Sequence, residues 1–119
     1  MESGDFERAI AALSPDVVFN SPVAHRPFVG RDTVAEVLRA VGQTFEDFRY
    51  VAETEGDGVH VLVFHARVGE RELDGIDLLR EGEDGKVAEL TVMVRPASGL
   101  MALGEAMGPK VAHLKGAPR

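Results

Sequence analysis

The chain has 119 residues, of which 45% are hydrophobic and 28% charged, and it contains no cysteine and no tryptophan. This length lies in the usual range of about 100–150 residues for one domain. The formal net charge of −7 argues against a nucleic-acid-binding face and against docking on anionic lipid, because both need clustered basic residues. The lack of cysteine excludes disulfides, thiol catalysis and thiolate metal sites.

No apolar stretch reaches the ~18 residues of a membrane span, and the first residues, MESGDFER, lack the charged-then-apolar pattern of a leader. We therefore expect a cytoplasmic protein that contacts neither membrane nor nucleic acid.

The first half of the chain predicts two helices separated by a short strand and an ordered loop. Their expected bounds are a helix over 3–13, a strand over 16–23, a loop over 24–31 and a helix over 32–42. Asp32 is a plausible cap for the second helix, and Gly42 stands where a left-handed residue often ends one.

After residue 45 the hydrophobic period changes from helical to alternating. The alternation predicts four strands, over 46–55, 59–68, 71–81 and 86–95. Their joins are short and rich in glycine, so consecutive strands must be antiparallel neighbours. A last helix is expected to end at Gly108-Pro109, which leaves a domain of residues 1–109 and a flexible tail of residues 110–119.

Helices followed by a meander of long strands indicate an α+β fold in which a curved antiparallel sheet wraps around helices. The interior of such a sheet can hold an apolar pocket. Because residues two apart in a strand share a face, the alternation assigns the inward side chains. The predicted pocket-lining residues are Phe19, Leu62, Phe64, Leu73, Leu90, Val92 and Val94.

Asp77 interrupts an apolar row on the third long strand, between Gly75 and Leu79. A buried carboxylate without a partner costs several kcal/mol, so this side chain must be hydrogen-bonded, coordinated or protonated. It is our first candidate catalytic residue. A structural role, in which it pairs with an inward Arg or a backbone amide, is an equal alternative. Asp74 faces the other way, so the two carboxyls are not expected to act as an acid/base pair.

Two further candidate catalytic residues lie near the expected mouth of the pocket. Ser21 ends the first strand and can orient a substrate oxygen or a water, or it simply terminates the strand before proline. His25, in the next loop, can shuttle a proton near neutral pH, or it is merely solvated. No paired-histidine spacing and no nucleotide-binding motif is present, so we expect no metal and no organic cofactor.

The opposite face of the sheet carries apolar residues that a monomer would expose. Val61, Val63, Thr91 and Met93 share this outer face by the same alternation, together with His65. An apolar patch of this kind favours a homodimer.

Three segments carry a resemblance to a known family: SPDVVFNSPV, PFVGRD and GIDLLREGEDGKVAELTVMVRP. Over about residues 4–107 the chain resembles the nuclear-transport-factor-2-like superfamily, and most closely its branch of ketosteroid-isomerase-like and SnoaL-like polyketide cyclase proteins. The resemblance implies a cone-shaped, cystatin-like α+β barrel, a deep apolar pocket and homodimers packed through the outer sheet face.

The resemblance also implies roles for single residues. Asp77 matches an isomerase aspartic acid that stays protonated in its apolar site and donates a hydrogen bond to a developing enolate. The position of the isomerase base holds Ser21 here, and a serine without an activating partner is no base at neutral pH. The usual tyrosine donor precedes the segment matched by Gly4-Asp5, which implies a domain that lacks most of the first helix.

Two functions of different classes follow. The first is an acid/base isomerase or cyclase acting on an apolar carbonyl or polycyclic compound, with Asp77 as proton donor or acceptor. The second is a non-catalytic dimeric ligand-binding or interaction domain. An enclosed void around Asp77 favours the enzyme, whereas an Arg on Asp77 and an interior filled by Phe19, Phe28 and Phe64 favour the binding domain.

Overall fold

A computed structural model describes residues 3–114 of the chain. The elements in this part of the chain are α1 (Ser3–Ala11), β1 (Leu13–Asn20), β2 (Phe28–Val29), α2 (Arg31–Thr44), β3 (Glu46–Gly56), β4 (Val59–Val68), β5 (Arg71–Glu81), β6 (Val87–Arg95) and α3 (Ala97–Val111). The predicted α+β class, with a curved sheet packed against helices, is confirmed. None of the helices described is long and apolar enough to cross a membrane.

The six strands form one sheet in the order β2-β1-β6-β5-β4-β3. The four long strands, β3 to β6, are antiparallel neighbours, as their short joins predict. β1 pairs with β6 in parallel, and the short β2, which lies in the predicted loop, pairs with β1. Because β2 and β3 are the sheet edges, the sheet is open and does not close into a barrel.

The second helix is longer than predicted at both ends. α2 begins after Gly30, whose φ is 98°, and continues through Gly42 to Thr44. Asp32 lies in the first turn, where a carboxylate favours the helix dipole, and it is not the cap. Gly42 does not end the helix. It gives room for the ring of Phe6 instead, since a Cβ at Gly42 would lie 3.0 Å from Phe6 Cδ2.

The third helix also continues past its predicted end at Gly108-Pro109. Val111 is buried in the core, and Lys110 Nζ donates a hydrogen bond to Thr44 Oγ1 at 2.7 Å. These contacts hold the last turn against α2 in spite of the proline. Two residues of the predicted tail therefore belong to α3, and residues 115–119 lie outside the described part of the chain.

The helices cover one face of the sheet, which we call the inner face. It carries Phe64 of β4, Leu73 of β5 and Leu90 of β6, which are buried in one core with residues of all three helices. The opposite, outer face is open: Met93 of β6 is 54% exposed. The two faces follow the predicted alternation of β4, β5 and β6.

Gly75 of β5 allows the Phe64 ring to lie across the inner face. A Cβ at Gly75 would be 2.3 Å from Phe64 Cζ and 2.8 Å from the Met93 carbonyl oxygen. We predict that Gly75→Ala lowers the free energy of unfolding by about 1–3 kcal/mol, because the core has no room for the methyl group. Urea unfolding measures this change.

Gly56→Ala is the matched control, since a Cβ at that position on β3 has no atom within 4 Å. It should change the free energy of unfolding by less than about 0.5 kcal/mol. Equal stability of the two variants would contradict the packing of Phe64 over Gly75.

Candidate functional site

A cavity of about 260 Å³ lies between the helices and the inner face of the sheet. All six phenylalanines of the chain and its one tyrosine line it. The cavity is larger than the ~150 Å³ void that holds benzene and slightly smaller than the ~300–1,000 Å³ typical of drug-sized ligand pockets. Its volume therefore suits an apolar body of one or two rings.

Five of the seven residues expected to line the pocket do line this cavity, namely Phe19, Leu62, Phe64, Leu90 and Val92. Leu73 and Val94 do not. Leu73 is buried where α3 lies directly on the sheet: a Cβ at Gly99 would be 2.8 Å from Leu73 Cβ. Val94 of β6 pairs with Gly75 of β5 and packs against the core. Alternation assigned both residues to the correct face, but the cavity does not extend that far.

The cavity wall carries few polar side chains. Among the described residues they are Ser21, Tyr50 and Asp77. Asp77 stands in mid-sheet, between Leu62 of β4 and Val92 of β6, and Tyr50 Oη donates a hydrogen bond to Asp77 Oδ2 at 3.2 Å. Burial raises the pKa of Asp77 from 3.8 to about 6, and the hydrogen bond from Tyr50 opposes this rise. This carboxyl group therefore exchanges its proton close to neutral pH.

Tyr50 is the site residue that the sequence analysis missed. It lies on the edge strand β3 and reaches Asp77 across β4. Tyr50 pairs with Phe64 but Ala52 pairs with Val63, so Val51 is an extra residue that interrupts the alternation of β3. Tyr50 is 46% exposed, which places its ring where the cavity meets solvent.

Ser21 lines the cavity directly after β1. Its Oγ accepts a hydrogen bond from the Val23 N–H at 3.1 Å, which closes a local turn. A hydroxyl that accepts this bond keeps its own proton to donate. Ser21 therefore closes this turn on the cavity wall.

His25 is not brought to Asp77. It is exposed in the loop between β1 and β2, and it is not among the residues that line the cavity. Within residues 3–114 no group of three or more His, Asp or Glu side chains is arranged to hold a metal ion.

Asp74 lies on the outer face, as the alternation predicts. His65 Nδ1 hydrogen-bonds Asp74 Oδ1 at 2.8 Å, and Arg95 donates to Asp74 Oδ2 at 2.9 Å. The hydrogen bond with His65 lowers the pKa of Asp74, and Arg95 lowers it further, whereas the hydrogen bonds with Asp74 and then Glu72 raise the pKa of His65. Two carboxyls three residues apart on β5 thus have opposite pKa shifts.

The buried Asp77 carboxyl makes the folded state sensitive to pH. Its pKa is higher in the folded protein than in the unfolded chain, so the wild type loses stability as pH rises from about 4 to about 6. Asp77→Asn keeps an acceptor for Tyr50 but cannot ionise. We predict that the free energy of unfolding of Asp77→Asn minus that of the wild type increases by about 3 kcal/mol as pH rises from about 4 to about 7. Urea unfolding at a series of pH values measures the difference.

Asp74→Asn is the control on the same strand. Ionised Asp74 stabilises the folded state, and this contribution is lost as pH falls through its lowered pKa. The control variant should therefore be less stable than wild type at neutral pH and approach it at low pH. If Asp77→Asn followed the pH dependence of the wild type, Asp77 would not be buried as described.

Comparison with known proteins agrees with this geometry. The model of the SnoaL-like domain family matches residues 1–90. An uncharacterized protein with a cystatin-like fold from Silicibacter pomeroyi is 36% identical, with a TM-score of 0.86 over 92% of this chain and 78% of that chain. A steroid delta-isomerase from Pseudomonas aeruginosa is 46% identical, with a TM-score of 0.84 over 92% of this chain and 85% of that chain.

A more distant structure shares the fold alone. An NTF2-like protein of unknown function from Cytophaga hutchinsonii is 18% identical, with a TM-score of 0.60 over 79% of each chain. A search of curated proteins finds no match. The family model covers most of the chain, and the two nearer structures are 36% and 46% identical to it over 92% of its length. The chain therefore belongs to the SnoaL-like family, within the nuclear-transport-factor-2-like fold that its sequence motifs predicted.

Proposed function

We propose that this protein is an isomerase that moves a proton between two carbon atoms of a small apolar carbonyl compound. The observation that carries the proposal is the hydrogen bond between Tyr50 and Asp77 on the wall of an otherwise apolar cavity. The 46% identity to a steroid delta-isomerase supports the reaction class. The cavity of about 260 Å³ supports a substrate of one or two rings.

Asp77 is the group that transfers the proton. Its carboxylate removes a proton from the carbon between a carbonyl group and a carbon–carbon double bond, and it returns that proton to the far carbon of the double bond. The double bond moves into conjugation with the carbonyl group, and no proton or electron is consumed. A pKa of about 6 leaves the base ionised at neutral pH and makes its conjugate acid strong enough to return the proton.

Tyr50 stabilises the charge that develops during this transfer. Negative charge appears on the carbonyl oxygen when the carbon loses its proton. In the free protein the phenol donates to Asp77 Oδ2 at 3.2 Å. As Asp77 takes up the substrate proton and loses its charge, the phenol turns this one hydrogen bond to the carbonyl oxygen. One such donor in an apolar site typically contributes about 3–4 kcal/mol to the transition state. Ser21 is the second hydroxyl on the cavity wall and orients the substrate or a water.

This assignment differs from the role that the family resemblance implies for Asp77. There the matching aspartic acid is a neutral donor beside a separate carboxylate base. Here the position of that base holds Ser21, so Asp77 is the base and Tyr50 is the donor. The partner of Asp77 is a tyrosine and not an arginine, and Phe19, Phe28 and Phe64 leave a void between them. Both observations favour the enzyme over the non-catalytic binding domain.

The test substrate is a monocyclic β,γ-unsaturated ketone, whose conjugated product absorbs in the ultraviolet. We expect kcat/KM to rise with pH around a midpoint of about 6, since the ionised carboxylate is the base. Asp77→Asn should lower kcat/KM by about 10²–10⁴-fold, and Tyr50→Phe by about 10²–10³-fold. Asp74→Asn, on the outer face, should keep the wild-type rate. Wild-type turnover by Asp77→Asn would overturn the proposal.

We also propose that two copies pair through the outer face. Val63 of β4, Ile76 of β5 and Met93 of β6 lie side by side on it, and His65, Asp74 and Arg95 form a polar row next to them. An apolar centre with a polar rim is typical of protein interfaces.

Met93→Lys places a charge in the middle of this apolar centre. We expect sedimentation to show a wild-type dimer and a Met93→Lys monomer, because the buried ammonium would lack a partner. Val29→Lys alters an equally exposed residue on the edge strand β2 and should remain dimeric. A monomeric wild type would contradict the pairing.

A further inference from the structure

We propose that the cavity also binds small organic amines in their protonated form, with the ammonium group against the Asp77 carboxylate and the hydrocarbon body among the phenylalanine rings. The proposal concerns binding alone, and it does not require the proton transfer proposed above.

The described part of the cavity wall has a negative charge without a balancing positive one. Asp77 lines the cavity, and no Lys, Arg or His among the described residues does so. The ionised carboxylate therefore has no cation beside it on the wall, and a buried charge is costly unless it is paired. A ligand ammonium supplies the missing positive charge.

The hydrogen bonding of Asp77 leaves room for such a ligand. A carboxylate has about four lone-pair sites for hydrogen bonds, and Tyr50 donates to one oxygen, Oδ2. An ammonium group has donors only, so it matches the remaining acceptor sites and does not compete for the phenol proton.

Aromatic rings share the cavity wall with the carboxylate. Phe48 is in contact with Phe45, Phe64 and Tyr50, with ring centroids 5.0–5.6 Å apart. Tyr50 is the ring that hydrogen-bonds Asp77, and Phe64 lies two residues from Leu62, the partner of Asp77 on β4. Aromatic faces attract organic cations, most strongly where water is excluded.

The same features reject anions. A carboxylate or phosphate on the ligand would meet Asp77 without any lining cation among the described residues, in a chain whose net charge is −7. The ligand class is therefore a cationic head on a compact hydrocarbon body that fits a cavity of about 260 Å³.

Three probes share the adamantane cage and differ in charge. They are adamantylamine, which is cationic when protonated, the neutral adamantanone and the anionic adamantanecarboxylate. Isothermal titration of the full chain at about pH 8, where the amine is protonated and Asp77 ionised, compares their affinities. We expect the amine to bind at least about tenfold more tightly than the ketone, and the carboxylate to show no binding.

Two variants on β5 test whether Asp77 is the residue that binds the ammonium group. Asp77→Asn should weaken amine binding by at least about tenfold and change ketone binding by less than about threefold, because it removes the charge and keeps the shape. Asp74→Asn, on the outer face, should leave both affinities unchanged.

Each possible result of these titrations supports or overturns the inference. An amine that binds no better than the ketone, an amine that does not bind, or undiminished amine binding by Asp77→Asn overturns this inference. Isomerisation of the β,γ-unsaturated ketone without amine binding would leave the proposed function standing. Amine binding without isomerisation would overturn the proposed function and support this inference.

Discussion

The dehydration of one carboxyl group on an apolar cavity wall is the constraint on which this site depends. Asp77 stands in the middle of the sheet, with the apolar Leu62 and Val92 as its neighbours on either side. Loss of hydration raises its pKa to about 6, and the hydrogen bond from Tyr50 limits the rise. The protein thus gives up folding stability at neutral pH, and it gains a carboxyl group that is poised to accept and return a proton.

Two glycines of α3 lie at close contacts between this helix and the rest of the fold. Gly99 lets the start of α3 lie on Leu73, and that end of the core is filled. Further along, a Cβ at Gly104 would lie 3.4 Å from Val23 Cγ1, and both residues line the cavity, so α3 and the loop after β1 meet at its wall. The small residues at these contacts allow α3 to lie close to β5 and to the loop after β1.

Local sequence signals predicted the long strands and the face of Asp77, because alternation and turn glycines act over a few residues. Gly69 and Gly85, for example, lie at strand joins and have positive φ, which a turn requires whatever the rest of the fold does. Tyr50 could not be assigned, because the bulge at Val51 breaks the alternation and its contact with Asp77 spans 27 residues. The parallel pairing of β1 with β6 and the true helix ends likewise depend on tertiary contacts.

A carbon-13 NMR titration of the Asp77 carboxyl group, assigned by its absence in Asp77→Asn, tests the account most directly. Family membership alone does not fix the chemistry, since one fold serves many functions. The protonation state of this group decides whether the cavity holds a base near neutral pH. The account predicts a midpoint of about 6. A midpoint near the ordinary value of 3.8 would contradict it, because the carboxyl group would then be hydrated and the cavity would have no tuned base.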